Sequence, residues 1–444
     1  MSKPNNVLII GAGVDCTKGI DLPPANRLLP EIAKFLEGEG KEFEQKLRAA
    51  LPGLRFTFKR FIKSSIDDLS KKDIGELRTL VVKVQQVVKG IKDDKDPIKK
   101  QGKLITLLFE RLVTIQEASQ LDDEIIELIK EVFGSKAEDV EVTDSVIDFH
   151  KVTLSDTFKN VMRMTLQQSL GTDTNAVAEA LGGDMLDIEQ LLVQKFLGFY
   201  NEHDADIKNY LYISWCFWAY LVHKQRDILG NLKGKEVPFY TGIPEDTKAI
   251  SLNYTIFLEQ AVGNAHAIYF HGDLRKYIRM DTRYLTTIER FEERDIKVIL
   301  DEEIIPNIDL APNEGVDRKL VVPALVPPLR IKPILSRSYI ELWHRADEWI
   351  GSADKVVIVG YSLSTSDEHF NDILRAHRGK VKFDIVGPGV LSDAFQKRCE
   401  KVFGIAPNAW SKTKVQKQDA LNSDGLRLIK AKADEVDLDE LFKS

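Results

Sequence analysis

Two polar side chains that could take part in chemistry follow short apolar runs in the C-terminal half of the sequence. Asn253 ends the run in "AISLNYT", and His271 ends the run in "AIYFHGD". A buried amide is costly unless its hydrogen bonds are used, so Asn253 is either a positioning residue or a helix cap. His271 is either a packed residue or a group that accepts and releases protons near neutral pH. Asp367, in "GYSLSTSDEHF", is either a site residue or the N-cap of a helix that begins near Glu368.

A glycine turn follows the first apolar run of the chain, and it reads "GAGVDCTKGID" at residues 11–21. Gly11 and Gly13 permit a tight turn and close backbone approach, and the helix that follows would direct its first N–H groups at an anion. The next glycine is Gly19, six positions after Gly13, whereas the usual dinucleotide fingerprint has three. The turn is therefore either a phosphate-binding turn or a plain strand-to-helix turn.

The elements that would position these groups have the pattern of a parallel sheet. The runs "KVVIVGYS" and "VKFDIVGPG" alternate with the two runs above and with helical segments, which is typical of an α/β fold with crossover helices. Parallel strands place their carboxyl ends at one edge of the sheet. We therefore predict a Rossmann-type parallel sheet whose strand ends form one pocket, with these members: Gly11, Gly13, Asn253, His271, Gly360 and Ser362.

The chain predicts a discontinuous core with a large insertion. Residues 1–26 and 236–400 form the predicted nucleotide-binding core, residues 27–235 a helical block, and residues 401–444 a C-terminal tail with one short helix. The apolar run "LYISWCFWAYLV" is too short to span a bilayer and predicts a buried helix. For the helical block we expect a scaffold that builds an oligomer interface through exposed apolar segments such as "WCFWAYLV", and the alternative is a sensor.

Composition restricts the classes of function. The chain has 444 residues, 43% of them hydrophobic, and a net charge of −7 without a long basic run, so direct nucleic-acid binding is not expected. Cys16, Cys216 and Cys399 lie far apart and form no zinc motif, so we expect no metal and a reducing, cytoplasmic location. The N-terminus lacks the pattern of a signal peptide, and no membrane association is expected.

Five blocks, in order, resemble the sirtuin-like domains of bacterial antiphage defence proteins, and the related AbiH-type abortive-infection proteins have similar blocks. The likeness covers about the first 26 residues and about 245–390, and excludes the helical block. The blocks are "GAGVDCTKGID", "SLNYT", "YFHGD", "LVPPLRIKP" and "VVIVGYSLSTSD".

This resemblance implies a fold that binds NAD and, in many members, cleaves its nicotinamide bond. It implies that Asn253 contacts the nicotinamide-side ribose and orients water, and that His271 is the catalytic histidine. Asp21 falls near a loop that covers the substrate in the family. The residues assigned to cofactor binding are Gly11, Ala12, Gly13, Asp15, Asp21, Gly360, Tyr361, Ser362, Asp367 and Gly387.

Two departures from the family refine this expectation. Sirtuin-type deacylases carry a four-cysteine zinc module, which three scattered cysteines cannot build, and this favours water as the nucleophile. Thr255 stands where many defence sirtuins have aspartate, although AbiH-type proteins often have threonine there. The sequence thus leaves two hypotheses: an NAD hydrolase that depletes its substrate in antiphage defence, or a non-catalytic nucleotide-binding receptor or structural subunit of a defence complex. The resemblance also implies a homo-oligomer, a HerA-like ATPase or another defence partner, and a phage-derived trigger.

Overall fold

The structure of the chain is a computed structural model. It describes residues 5–67, 74–93, 96–117, 142–143, 146–147, 177, 188–200, 203–233, 236–310, 319–326, 336–407 and 409–444. The chain divides into two compact units, which are considered separately. Unit 1 comprises Met1–Pro24, Glu39–Leu54 and Leu192–Ser444, and unit 2 comprises Ala25–Gly38 and Arg55–Leu191.

The described residues contain strands of two to six residues and helices of very different length. The strands are β1 (Asn6–Ile10), β2 (Val142–Thr143), β3 (Val146–Ile147), β4 (Lys248–Ser251), β5 (Ala267–Tyr269), β6 (Lys276–Arg279), β7 (Leu285–Thr287), β8 (Val321–Pro323), β9 (Lys355–Val359), β10 (Lys382–Val386), β11 (Ser411–Val415), β12 (Gln418–Ser423) and β13 (Leu426–Ile429). The helices are α1 (Ala12–Asp15), α2 (Ala25–Glu37), α3 (Lys41–Ala49), α4 (Phe58–Asp67), α5 (Ile74–Gly90), α6 (Pro97–Glu117), α7 (Ile188–Tyr200), α8 (Asp204–Leu232), α9 (Phe257–Val262), α10 (Ile296–Ile299), α11 (Arg337–Gly351), α12 (Glu368–Ala376), α13 (Asp393–Phe403) and α14 (Leu438–Lys443).

The main sheet of unit 1 confirms the predicted Rossmann-type fold class. Its strand order is β11-β12-β13-β10-β9-β1-β4-β5, and the run from β13 to β5 is parallel throughout. The chain leaves β1 for β4 and β5 on one side and then crosses to β9 and β10 on the other side. The topological switch point, where α/β sheets bind ligands, therefore lies between the carboxyl ends of β1 and β9.

Burial explains why these strands read as apolar runs in the sequence. Every residue from Val7 to Ile10 in β1 and from Val356 to Val359 in β9 is at most 1% exposed. A parallel sheet covered on both faces needs apolar side chains on both faces, so alternation with polar residues disappears. The helices α12 and α13 contribute Phe370 and Phe403 to the same core.

The longest described helix, α8, corrects one expectation about the helical block. Trp215 and Trp218, from the run "WCFWAYLV", are fully buried inside unit 1 and are not exposed as an interface would require. Their indole nitrogens donate to the carbonyl oxygens of Val321 (3.0 Å) and Leu274 (2.7 Å). The run does form the predicted buried helix, and its apolar surface packs within its own unit near the small antiparallel sheet β7-β6-β8.

The C-terminal residues belong to the main sheet, although the sequence placed 401–444 in a separate tail. Here β13 extends the parallel run, and β12 and β11 add two antiparallel strands at the edge. Buried Asp384 on β10 pairs with Arg427 on β13 (Nε to Oδ1, 2.6 Å) and with buried Lys355 on β9 (2.9 Å). Helix α14 lies where the short C-terminal helix was expected, and Lys355 also donates to its carbonyl at Leu441. The functional division into a nucleotide-binding core and an inserted block stays a prediction.

Unit 2 is built mainly from helices in its described part. Helices α5 and α6 pack along each other, and Gln85 donates to Glu110 across them (2.8 Å). Helix α2 buries Leu29 and Ile32. The strands β2 and β3 form a short antiparallel pair. Across the helices of the described ranges in either unit, none is both long and apolar enough to cross a membrane.

Candidate functional site

Three glycines bring the ends of β1 and β9 into backbone contact at the switch point. The amide of Gly11 donates to the carbonyl oxygen of Val359 (2.9 Å), and the amide of Gly13 donates to that of Gly360 (2.9 Å). A Cβ atom on Gly11 would lie 2.6 Å from the Gly360 oxygen, and one on Gly13 would lie 2.9 Å from the Gly360 Cα. Gly360 itself has φ +69°, a left-handed conformation that favours glycine. The packing of the two strand ends therefore accounts for all three glycines.

Several backbone amides of the predicted phosphate turn already donate hydrogen bonds within the chain. The amides of Gly11, Gly13 and Val14 all donate to carbonyl oxygens of the chain, the last to Gly11 (3.0 Å). Three amides of the turn are thus already used, and α1 is only four residues long. Ala12 is exposed at the start of α1. The assignment of Gly11, Ala12 and Gly13 to the pyrophosphate of NAD stays a prediction.

Asp15, at the end of α1, is buried in a cluster of hydrogen-bond donors. Its side chain accepts from the hydroxyl of Tyr240 (Oδ1, 2.6 Å) and from the hydroxyl of Thr255 (Oδ2, 2.7 Å), and the residue is 5% exposed. Burial raises the pKa of this carboxyl group to about 6, although the interactions with Tyr240, Thr255 and Asn253 act in the opposite direction. Asp15 is consequently a buried carboxylate that titrates close to neutral pH.

Asn253 does not cap a helix and is instead bound to the first strand end. Its side-chain Nδ2 donates to the carbonyl oxygen of Gly11 (3.2 Å), and its own amide donates to the hydroxyl of Ser251 (3.1 Å). The following helix, α9, has Ile256 at its N-cap position. The side chain is buried, and its hydrogen bond to Gly11 places the amide group beside the glycine turn.

His271 has a polar partner at each ring nitrogen. Nδ1 lies 3.0 Å from the carbonyl oxygen of Leu252, and Nε2 lies 3.1 Å from Oδ1 of Asp367. A carbonyl oxygen only accepts, so Nδ1 carries a proton. A hydrogen bond at Nε2 then needs one further proton, shared between the imidazole and the carboxylate of Asp367. The backbone oxygen of His271 accepts from the amide of Val326 (2.8 Å), which fixes the turn that carries the ring.

Asp367 stands at the N-cap position of α12, but its side chain forms no cap hydrogen bond there. It is buried, and its carboxylate is directed at His271 instead. The helix does begin at Glu368, as the sequence predicted. The side chain of Asp367 therefore contacts His271 and does not cap α12, and its role as a site residue stays a prediction.

The structure brings one group of predicted residues together and places others elsewhere. Asn253 contacts Gly11, which contacts Gly360, and His271 joins this group through Leu252, the neighbour of Asn253. The predicted meeting of strand ends at one edge is thus seen for this group. Tyr361 turns into the hydrophobic core, where its hydroxyl donates to Asn371 (2.9 Å).

Of three further predicted residues, two are exposed and Gly387 is buried. Ser362 is exposed. Gly387 directly follows β10, which lies two strands from β1, and its amide donates to the carbonyl oxygen of Ile429 (3.2 Å). Asp21 is exposed, has φ 53°, and accepts from the amide of Gly19 (2.9 Å). In the block "LVPPLRIKP", residues 327–333 lie outside the described residues.

Sequence reasoning missed Tyr240 altogether and did not connect Thr255 with Asp15. Tyr240 lies in a short turn, Tyr240–Gly242, that carries no motif, and it is 225 positions from the carboxylate it contacts. The signal that was present is the aspartate directly after a buried strand and glycine turn, because a buried carboxylate requires donors. Within the described ranges, no group of three or more His, Cys, Asp or Glu side chains is arranged to hold a metal ion.

Comparisons with known proteins add little to this geometry. No family model matches the chain, and no curated protein matches it. Among solved structures, a Sir2 homologue in a complex with ADP-ribose is 16% identical, with a TM-score of 0.29, and the match covers 54% of this chain and 75% of that one. A second match, described as a structural basis for the mechanism and regulation of Sir2 enzymes, is 16% identical with a TM-score of 0.24 and covers 43% and 76%. A third, described as the structural basis of sirtuin substrate affinity, is 18% identical with a TM-score of 0.22 and covers 41% and 68%. The fold assignment rests on the sheet topology of the chain itself.

Proposed function

We propose that the chain binds NAD at the carboxyl edge of its main sheet and hydrolyses the bond between nicotinamide and ribose. One observation carries this proposal: Asn253 and His271, from the ends of β4 and β5, join the glycine turn of β1 through Gly11 and Leu252. The switch point of a parallel sheet is where such folds bind nucleotides. A buried amide and a buried imidazole at that edge provide a positioning group and a proton acceptor.

The proposed reaction needs no group beyond these side chains, NAD and water. The bond between C1′ of ribose and the ring nitrogen of nicotinamide breaks, and nicotinamide leaves with the bonding electron pair as a neutral molecule. Positive charge develops at C1′ in an oxocarbenium-like centre, as in other glycoside cleavages. A water oxygen forms the new bond to C1′ and releases one proton. The products are nicotinamide, ADP-ribose and that proton.

His271 is the proposed acceptor of the proton. Nδ1 is committed to Leu252, so Nε2 is the basic nitrogen, and it accepts the proton from the state in which neither Nε2 nor Asp367 carries one. When Nε2 is protonated, its contact with Asp367 becomes a charge-assisted hydrogen bond that stabilises the imidazolium. Asp367 then acts as a positioning residue and not as a ligand of NAD, which differs from its assignment in the sequence. Asn253 orients ribose and water, as the family resemblance implies.

The biological role that we propose is depletion of NAD during antiphage defence. This step rests on the resemblance of the sequence blocks to defence sirtuins and AbiH-type proteins. A homo-oligomer, a HerA-like ATPase and a phage-derived trigger belong to the same proposal. NAD is the substrate in this scheme, and no metal takes part.

The direct test is release of nicotinamide from NAD by the purified chain, with and without candidate partner proteins and phage lysate. Asn253→Ala and His271→Ala should each lower the rate by a factor on the order of 10²–10⁴ while NAD binding persists, because both act mainly in the transition state. His344→Ala is the matched control, since the His344 side chain is 71% exposed on α11. An Asn253 or His271 variant that cleaves NAD at the wild-type rate would remove that residue from the mechanism.

A second candidate function is a nucleotide-binding subunit without turnover. Two observations favour it: Nε2 of His271 already contacts Asp367, and three amides of the glycine turn are used within the chain. In that case the wild type binds NAD but releases no nicotinamide under any of the conditions above. Calorimetric titration with NAD beside the activity assay separates the two functions.

A further inference from the structure

A cleft of about 170 Å³ lies beside β5, the edge strand of the main sheet. None of the predicted site residues lines it. Its wall begins at Gly272, directly after His271, continues through Asp273, Arg275 and Lys276 at the start of β6, and includes Tyr339 and Arg345 of α11. Strand β5 itself, Leu285 of β7 and Ala324 after β8 complete the wall, so several elements of unit 1 build the cleft together.

The charged groups of the wall are predominantly cationic. Buried Asp273 is the one carboxylate in the wall, and it pairs with Arg275 (Nε to Oδ1, 3.1 Å) and Lys276 (Nζ to Oδ2, 3.1 Å). Arg275 has a second carboxylate partner, Glu259. Arg345 lies with its guanidinium 5.5 Å from the ring centre of Trp349, and no carboxylate partner of it is seen among the described residues. Asp273 and Glu259 together balance two of the three cations, Arg275, Lys276 and Arg345, so one positive charge is left over and a small anion would balance it.

The hydroxyl of Tyr339 gives a second and independent observation. Tyr339 is 1% exposed, and its hydroxyl oxygen has no hydrogen-bond partner in the part of the chain that the structure describes. The hydroxyl lies against Gly272, only 2.8 Å from where a Cβ atom of that residue would be. Leaving a buried hydroxyl unpaired is unfavourable, so its presence in the wall of a cleft indicates a ligand that accepts its hydrogen bond. Burial raises the pKa of this hydroxyl, which keeps it a donor.

We propose that this cleft binds a small oxyanion, a phosphate or carboxylate group, held by Arg345 and Lys276 and by a hydrogen bond from the hydroxyl of Tyr339. The volume supports a small ligand. The cleft volume of about 170 Å³ is enough for a phosphate group or a short carboxylic acid. The proposal does not depend on cleavage of NAD.

The test is calorimetric titration of the full chain with inorganic phosphate and, separately, with acetate, in a buffer that contains neither anion. Tyr339→Phe removes only the hydroxyl, so without anion its free energy of unfolding should equal or exceed that of the wild type. Its affinity for the anion should fall about tenfold or more, because a hydrogen bond to a charged acceptor is lost. Arg345→Ala should weaken binding as well. Arg337→Ala is the matched control, since Arg337 lies on the same helix, is 89% exposed and pairs with Glu341.

The results of the titrations distinguish a phosphate ligand from a carboxylate ligand, and they can also show that the cleft binds neither. Binding of phosphate without acetate assigns a phosphate group, and the reverse assigns a carboxylate. If the wild type binds neither anion at millimolar concentration, the proposal is wrong. It is also wrong if Tyr339→Phe and Arg345→Ala bind the anion as tightly as Arg337→Ala. Should the phenylalanine variant fail to fold, the comparison of the two arginine variants decides.

Discussion

Asp15 gives the sharpest quantitative prediction, because it is a buried carboxylate that can be made non-titrating by replacing one oxygen atom with an amide nitrogen. We consider Asp15→Asn, which keeps the size of the side chain and removes its titration. The folded pKa of Asp15 is about 6, above its ordinary value of 3.8. Because the pKa is higher in the folded state, protonated Asp15 favours folding. Its contribution to the free energy of unfolding is complete below about pH 4 and is lost as the pH rises through about 6. The wild type should therefore lose the contribution of Asp15 to its stability as the pH rises from about 4 to above 6. The asparagine variant has no such contribution to lose.

The size of the effect follows from the shift. Each pKa unit corresponds to about 1.4 kcal/mol, so the shift from 3.8 to about 6 is worth about 3 kcal/mol in total. About 2 kcal/mol of this total is lost by the wild type between about pH 4.5 and about pH 7.5, the interval chosen for the comparison. The free energy of unfolding of Asp15→Asn, minus that of the wild type, should rise by that amount across the interval.

The assay is urea unfolding at several pH values, followed by far-UV circular dichroism. Asp21→Asn is a suitable companion variant, because Asp21 is exposed in the same segment and its loss removes the same charge. The difference between Asp15→Asn and the wild type is the measured quantity, so other titrating groups cancel. A difference that stays flat with pH would refute the reasoning, since it would mean that burial does not govern the ionisation of Asp15.

Three further predictions follow from single contacts. Gly360→Ala should destabilise the chain by about 3 kcal/mol or more in urea unfolding, because the new methyl group would be forced into the backbone of the glycine turn at a positive φ. Thr255→Val should cost about 1–3 kcal/mol at neutral pH and less at about pH 4, where Asp15 is protonated and needs its donors less; equal losses at both pH values would contradict the hydrogen bond. Tyr361→Phe should cost about 1 kcal/mol by losing its bond to Asn371 and leave NAD affinity unchanged, whereas weakened binding in calorimetry would restore Tyr361 as a cofactor contact.

The parallel part of the sheet could be predicted from the sequence because each strand is buried on both faces. β1, β4, β5, β9 and β10 all read as apolar runs that end in glycine or a polar residue. The same reasoning placed their carboxyl ends at one edge, and the contacts among Gly11, Asn253 and Gly360 are at that edge. Hydrophobic pattern and the geometry of parallel sheets were sufficient for this much.

The C-terminal strands could not be recognised by the same pattern. β11 is "SKTKV", and four of its five residues are exposed because it forms the antiparallel edge of the sheet. An edge strand with lysines has no apolar run to detect, and lysines are a common protection of such edges. The buried pair of Lys355 and Asp384 is equally invisible, because each residue reads as a surface charge until the strands are placed side by side.

At the candidate site, glycines that were predicted to bind a ligand are also needed for the packing of two strand ends. Gly11, Gly13 and Gly360 fit the prediction of a phosphate turn, but the space beside each is filled by the backbone of the other strand end. A bulky substitution at Gly13 would therefore disturb the packing of β1 on β9 as well as any ligand, and a loss of binding in such a variant would not identify a phosphate contact. Side chains at the site give cleaner tests than the glycines.

The structure gives a physical reason for threonine at position 255. In the sequence, Thr255 is a departure from the aspartate that many defence sirtuins have at this place. In the structure its hydroxyl donates to the buried carboxylate of Asp15, beside Asn253. An aspartate at position 255 would place a second carboxylate within hydrogen-bond distance of the first, in a site where burial already disfavours one charge. Threonine thus supplies a hydrogen-bond donor to the buried Asp15, and what this means for catalysis stays a prediction.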